Sequence, residues 1–184
     1  MLHIGLDDTD SPGGGCTTYV AAVLVERLMG LGAEFNGYPT LLRLNPNTPW
    51  KTRGNASVCL RLKIDESLYG AVQNAVKELV DEYGEFSCDN TNPGIVFLKG
   101  NVPDNVKTYS DTVVKSLVEK KLAMDLIEKH EMDYMEYKNG RGIIGALAAI
   151  GGTLEGDLTY ELLTYRTPEN WGTPRRMDDA SIVA

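Results

Sequence analysis

The 184-residue chain holds only three cysteines and two histidines. Cys16, Cys59 and Cys88 are odd in number, far apart and without paired spacing, so neither a disulfide framework nor a zinc site is expected. A reducing, cytoplasmic setting suits them. Long apolar runs are also lacking: none approaches the roughly 20 residues needed to cross a bilayer, and no membrane partner is expected. Met1-Leu2-His3-Ile4-Gly5 enters a strand at once with no basic segment ahead of it, so a secretory signal is not expected. Basic charge is scarce: 18 Lys and Arg face 26 Asp and Glu, for a formal charge of −8. A domain that grips nucleic acid by itself carries a basic surface, because phosphate neutralisation dominates that affinity. If the substrate is RNA, this chain does chemistry while other parts do most of the holding.

What remains is an ordinary globular composition, 42% apolar, long enough for one domain or two small ones. The first nine residues read as a buried strand running into a polar turn. Residues 16–31 look helical, with Tyr19, Val20, Val23, Leu24, Arg27 and Leu28 on helical spacing and Gly30 and Gly32 as stops. Strands are predicted at about 38–44, 56–64, 95–98 and 157–166. Helices are predicted at about 66–83 after the cap Asp65, at 110–131 after Ser110, and in the glycine-bracketed apolar run 142–152. The loop 45–55 is too long for a tight hairpin. Strands and helices alternate, so the fold class is α/β (α+β), a mixed sheet with helices packed on it. The polar end of the chain, with Trp171, Pro174 and Asp178-Asp179, reads as part of something longer.

The chemistry concentrates in Ile4-Gly5-Leu6-Asp7-Asp8-Thr9-Asp10-Ser11-Pro12-Gly13-Gly14-Gly15-Cys16-Thr17-Thr18. A strand delivers three carboxylates, and a glycine turn then feeds a helix start. Carboxylates there are natural Mg²⁺ ligands. Gly13, Gly14, Gly15 and the following helix N-terminus, with Cys16 and Thr18, would cradle the phosphates of ATP. In phosphoryl transfer, catalysis is mostly positioning and charge neutralisation, which these residues supply. Extended strand geometry puts Asp7 and Asp8 on opposite faces. Asp8 and Asp10 are then the better metal pair, with Asp7 a base or outer ligand unless the chain curls early. Thr17 can accept or position a phosphoryl group. The plain alternative is a solvated Asp-rich turn capped by Thr17.

The segment is not a P-loop, since Cys16 stands where the lysine belongs. Asp8-Thr9-Asp10 after a strand also looks like the nucleophile motif of a haloacid-dehalogenase-like phosphatase, but the acidic pair such an enzyme needs falls in a polar tail. A non-catalytic nucleotide- or anion-binding module is a further alternative.

The acidic segment resembles the archaeal tRNA-isoleucine 2-agmatinylcytidine synthetase family. So do Leu44-Asn45-Pro46-Asn47-Thr48-Pro49-Trp50-Lys51-Thr52-Arg53-Gly54-Asn55-Ala56, Asn92-Pro93-Gly94-Ile95 and Gly140-Arg141-Gly142-Ile143-Ile144-Gly145-Ala146-Leu147. The resemblance covers nearly the whole chain. It implies an ATP-dependent tRNA cytidine–agmatine ligase that activates the wobble cytidine of an isoleucine tRNA for attack by agmatine. It further implies a kinase-like N-terminal unit in which Thr17 is autophosphorylated and Asp7, Asp8 and Asp10 are the motif aspartates. Family members continue through a ferredoxin-like domain into an OB-fold and a zinc ribbon that hold the tRNA. Either residues 1–100 form the ATP-using core and 101–184 begin the ferredoxin-like unit, or all share one sheet.

Lys51, Arg53 and Arg141 are candidates for phosphate or tRNA backbone. For Arg141 a plain helix start competes with a second anion site. Trp50 either stacks on a base or seals its loop against the core. His3 and His130 are expected to be structural.

Overall fold

The computed structural model describes residues 1–52, 54–155, 158–161, 163, 167–171, 173 and 174. In chain order the elements are β1 (Leu2–Asp7), α1 (Thr17–Gly30), β2 (Glu34–Phe35), β3 (Thr40–Arg43), β4 (Ala56–Lys63), α2 (Tyr69–Tyr83), β5 (Gly94–Lys99), α3 (Asp104–Lys115), α4 (Lys120–Lys129), β6 (Asp133–Glu136) and α5 (Ile143–Gly151). The strands form one sheet in the order β2-β4-β1-β5-β6, with β3 also on β4. Strands from before and after residue 100 therefore share a sheet. β1 sits at its centre.

The α+β class with helices on a sheet is present. The pairing, expected to be mixed, is antiparallel at every ladder: β1 with β4 and β5, β4 with β2 and β3, and β5 with β6. The reason is the split β-α-β connectivity of the first 99 residues. α1 returns the chain parallel to β1 but one place away, and β4 then slots between, running the opposite way. α2 does the same for β5.

Period-two alternation assigns the two faces of β1. Leu2, Ile4 and Leu6 turn to a core completed by Val20, Leu24 and Leu28 of α1 and Val72, Val76 and Val80 of α2. His3, Gly5 and Asp7 turn the other way, where α3, α4 and α5 build a second core around Val96, Leu98, Val106, Ile127 and Ile150. Gly5 is required there: a Cβ would lie 2.0 Å from the Ala146 carbonyl oxygen of α5. α5 is apolar on nearly every side because it lies between the sheet and α3, burying all of its residues except Ile144. Arg61 of β4 donates from Nη2 to the carbonyls of Ile150 (3.2 Å) and Gly152 (3.1 Å), satisfying orphan acceptors at its end. His3 Nε2 meets the Gly100 carbonyl at 3.0 Å, and His130 Nε2 meets Asn105 Oδ1 at 2.9 Å, both structural.

Three expectations need correction. The helix predicted over 110–131 is two helices, α3 and α4, and Ser110 is a buried residue inside the first rather than a cap. A single helix of that length would run about 33 Å, well past strands of about 20 Å; the chain instead leaves the first helix at Ser116 in extended backbone and enters the second after Glu119. β6 was missed because Asp133-Tyr134-Met135-Glu136 is a polar edge strand without apolar alternation. Of the strand expected over 157–166, the described residues 158–161 and 163 form no strand, and the remainder lies outside the described residues. Among the described residues no helix is long and apolar enough to cross a membrane.

Candidate active site

β1 ends at Asp7, and Asp8 then takes a left-handed backbone conformation, φ 60°. Such a conformation costs a non-glycine residue of order 1 kcal/mol or more, and aspartate tolerates it through local hydrogen bonds. Here the Asp8 amide donates to Asp7 Oδ1 at 2.8 Å. The curl removes the opposite-face separation of an extended strand. Asp7, Asp8 and Asp10 all line one cavity of about 240 Å³, with Cys16, Thr17 and Thr18 at the start of α1, Lys51 and Thr52 from the 45–55 loop, and Arg141 just before α5.

Asp8 and Asp10 each have a partner from a distant segment, whereas Asp7 accepts from the amide of its neighbour Asp8. Asp8 Oδ2 accepts from Arg141 Nη2 (2.8 Å) and from the Asn92 amide (3.2 Å). The same guanidinium donates to Asn90, at Oδ1 (3.0 Å) and at the carbonyl (2.6 Å). Arg141 therefore belongs to the acidic centre itself. Asp10 Oδ1 accepts from Thr52 Oγ1 at 2.7 Å, and its carbonyl accepts from Thr91 Oγ1 at 2.8 Å. Thr9 Oγ1 donates to Thr17 Oγ1 at 3.0 Å, both side chains being buried. Cys16 Sγ and Thr18 Oγ1 lie 2.9 Å apart.

Burial governs the charges. It pushes the Asp7 carboxyl well above the usual carboxylate range, with the Asp8 and Asp10 charges adding to the rise and the Asp8 amide and Arg141 opposing it. Burial also lifts Asp8, to about 6, against the pull of Arg141. A carboxyl lifted to about 6 beside a second one raised by burial, both lining one cavity, suits acid–base work.

Gly13, Gly14 and Gly15 are not brought to the cavity wall. The amides of Gly13 and Gly14 donate to Ser11 Oγ at 3.2 and 3.0 Å, and the Ser11 amide donates back to the Gly14 carbonyl at 2.9 Å. On their far side stands Glu85, whose Cγ would lie 2.7 Å from a Cβ on Gly15. The glycines make a tight turn packed under Glu85, and the residues of this segment that line the cavity after Asp10 are Cys16, Thr17 and Thr18. Lys51 lines the cavity with its Nζ on the Pro46 carbonyl. Arg53 lies outside the described residues, as do Asp178 and Asp179, the acidic pair that a phosphatase would need. Among the described residues no group of three His, Cys, Asp or Glu side chains is arranged around a metal position.

Sequence reasoning missed Asn90, Asn92, Thr52, Thr9, which donates to Thr17, and Thr91, which donates to the Asp10 carbonyl. The topology held a signal for some of them. β5 runs antiparallel to β1 with Gly94 opposite Asp7, so the residues just before β5 must lie beside the acids just after β1.

Residues 3–139 match the family model for the TiaS TCKD domain, and residues 140–184 match that for the TiaS FLD domain. The chain belongs to the TiaS family. One relative is the isoleucine-tRNA 2-agmatinylcytidine synthetase TiaS of Thermococcus sibiricus, 44% identical over 183 residues, covering 100% of this chain and 42% of that protein. Among solved structures, a complex of TiaS with its isoleucine tRNA and ATP aligns with a TM-score of 0.87 at 39% identity, covering 99% of this chain and 43% of the other. A complex of TiaS with the same tRNA, AMPCPP and agmatine aligns with a TM-score of 0.85 at 36% identity, with the same coverage. The chain thus spans less than half the length of these TiaS relatives.

Proposed function

We propose that this chain is the ATP-using part of an enzyme that forms 2-agmatinylcytidine in an isoleucine tRNA, with agmatine as the attacking amine. The observation that carries the reading is the convergence of Asp7, Asp8, Asp10, Thr17 and Arg141, from both ends of the chain, on one cavity. The relatives' names and their complexes with an isoleucine tRNA, ATP or its analogue, and agmatine supply the substrates. Parts of the protein beyond this acidic chain do most of the tRNA holding. The cytoplasm is the proposed setting, where the free thiols of Cys16, Cys59 and Cys88 persist.

In this reading Thr17 accepts a phosphoryl group, and Cys16 and Thr18 face the phosphates. Arg141, Lys51 and Arg53 offset charge on the transferring group, and Asp7 holds or takes up a proton. The donor set fits Mg²⁺. Asp8 and Asp10 lie two residues apart and both line the cavity, facing shared space. Mg²⁺ needs only one or two carboxylates beside phosphate oxygens and water. Asp8 and Asp10 would hold it, and when bound it supplies neutralisation of phosphate charge.

The test is transfer from γ-labelled ATP in the full-length enzyme. Label should appear on Thr17, persist in Thr17→Ser and vanish in Thr17→Ala, which leaves the buried Thr9 hydroxyl without its acceptor at a cost of about 1–3 kcal/mol and is assayed at a temperature where it is folded. Undiminished labelling of Thr17→Ala would remove Thr17 from the reaction.

A further inference from the structure

Trp50 is 53% exposed and belongs to neither core cluster, which rules against its sealing the loop. It nevertheless lines the cavity that holds Asp8 and Arg141. Its backbone is fixed. Asn90 Nδ2 donates to the Trp50 carbonyl at 2.7 Å, while Asn90 Oδ1 and its carbonyl take the Arg141 guanidinium at 3.0 and 2.6 Å. The loop carries its own bracing, with Asn55 Nδ2 donating to the Asn45 carbonyl at 2.7 Å and to Thr48 Oγ1 at 3.1 Å. A large aromatic ring half in water does little for the core, yet its position is tied through one asparagine to the arginine that faces Asp8.

We propose that Trp50 is a stacking platform for a nucleobase at the mouth of the acidic cavity, and that Asn90 is the positioning residue that ties it to Arg141. The ligand chemistry is a planar heteroaromatic base carrying phosphate. Any base offers a π-face to an indole, and the same cavity is lined by the cations Lys51, next in sequence with its Nζ on the Pro46 carbonyl, and Arg43, exposed and paired with Glu161. Two sources share that chemistry: the base of ATP and a base of the RNA. The proposal rests on the nucleotide reading above and deepens it by assigning a base contact outside the acids.

Trp50 and Trp171 are the two tryptophans of the chain, so Trp171→Phe leaves Trp50 as the reporter. In that background ATP, inorganic tripolyphosphate and a short single-stranded RNA are each titrated, read by Trp50 emission and by calorimetry. Trp50→Ala is expected to weaken ATP or the RNA by about five- to hundredfold and to leave tripolyphosphate unchanged, with Trp50→Phe losing less. Which ligand responds names the source. Asn90→Ala should give a smaller loss of the same ligand while the melting temperature changes little. Tripolyphosphate and ATP binding equally in wild type and Trp50→Ala, with no change for the RNA, would overturn the platform and leave the nucleotide site standing. Binding of none of the three would overturn the nucleotide reading and the platform with it.

Discussion

Arg141 Nη2 reaches Asp8 Oδ2 at 2.8 Å across 133 positions of sequence. The bond joins the turn after β1 to the turn before α5, with side chains that are 23% and 13% exposed. Asn90 completes the arrangement by accepting twice from the same guanidinium.

Lysine cannot replace that fork, because one ammonium on a flexible stem lacks its planar geometry. Arg141→Lys should keep the fold and lower ATP-dependent labelling at least tenfold. Arg141→Ala should in addition lower stability by about 2–3 kcal/mol, since Asp8 is left buried without its cation. The Asp8 carboxyl should then titrate above its present value of about 6. Denaturant unfolding and carboxyl-carbon NMR check both.

Asp7 and Asp8 both bind protons more tightly folded than unfolded. Between the ordinary aspartate pKa and about 6, the folded state therefore holds more protons, and stability must fall as pH rises. The contribution from Asp8 is complete below about pH 4 and lost through about pH 6, an effect of order 3 kcal/mol. Asp7, raised by the same burial, adds to the fall in the same direction. Asp7→Asn removes that cost while keeping an acceptor for the Asp8 amide, so it should be more stable than wild type at pH 8, with a shallower pH dependence and no activity. Unfolding free energies from pH 4 to 8 test this.

Gly145 leaves room for Asp7: a Cβ there would lie 1.8 Å from Asp7 Oδ2 and 2.9 Å from Leu44 Cδ1. Gly145→Ala must displace the carboxylate or shift α5. Stability should drop by about 1–3 kcal/mol, and labelling should fall at least a hundredfold at a temperature where the variant is fully folded. Retained labelling would show that Asp7 need not hold its position.

Much of this was legible in the residues. Apolar spacing located α1, β1, β4 and α5, and the density of acids, glycines and threonines after β1 marked the site. Two things were not legible, each for a physical reason. The break between α3 and α4 carries no proline or glycine, the residues that mark a helix end in a sequence. Asn92 and Thr52, which meet the acids, and Asn90, which meets Arg141, are common turn residues whose meaning comes only from the antiparallel pairing that sets β5 and β4 beside β1. The glycine turn taught the reverse lesson. It promised an amide cradle, but Ser11 takes two of those amides and Glu85 packs against the turn.

The central claim is that the nucleotide lies among the acids after β1. A crystal structure of this chain with ATP and Mg²⁺ measures that directly. The triphosphate should lie between Asp8, Asp10, the start of α1 and Arg141, with Thr17 facing the γ-phosphate. A triphosphate bound elsewhere, with Arg141 still closed on Asp8 and the cavity unchanged, would contradict the account.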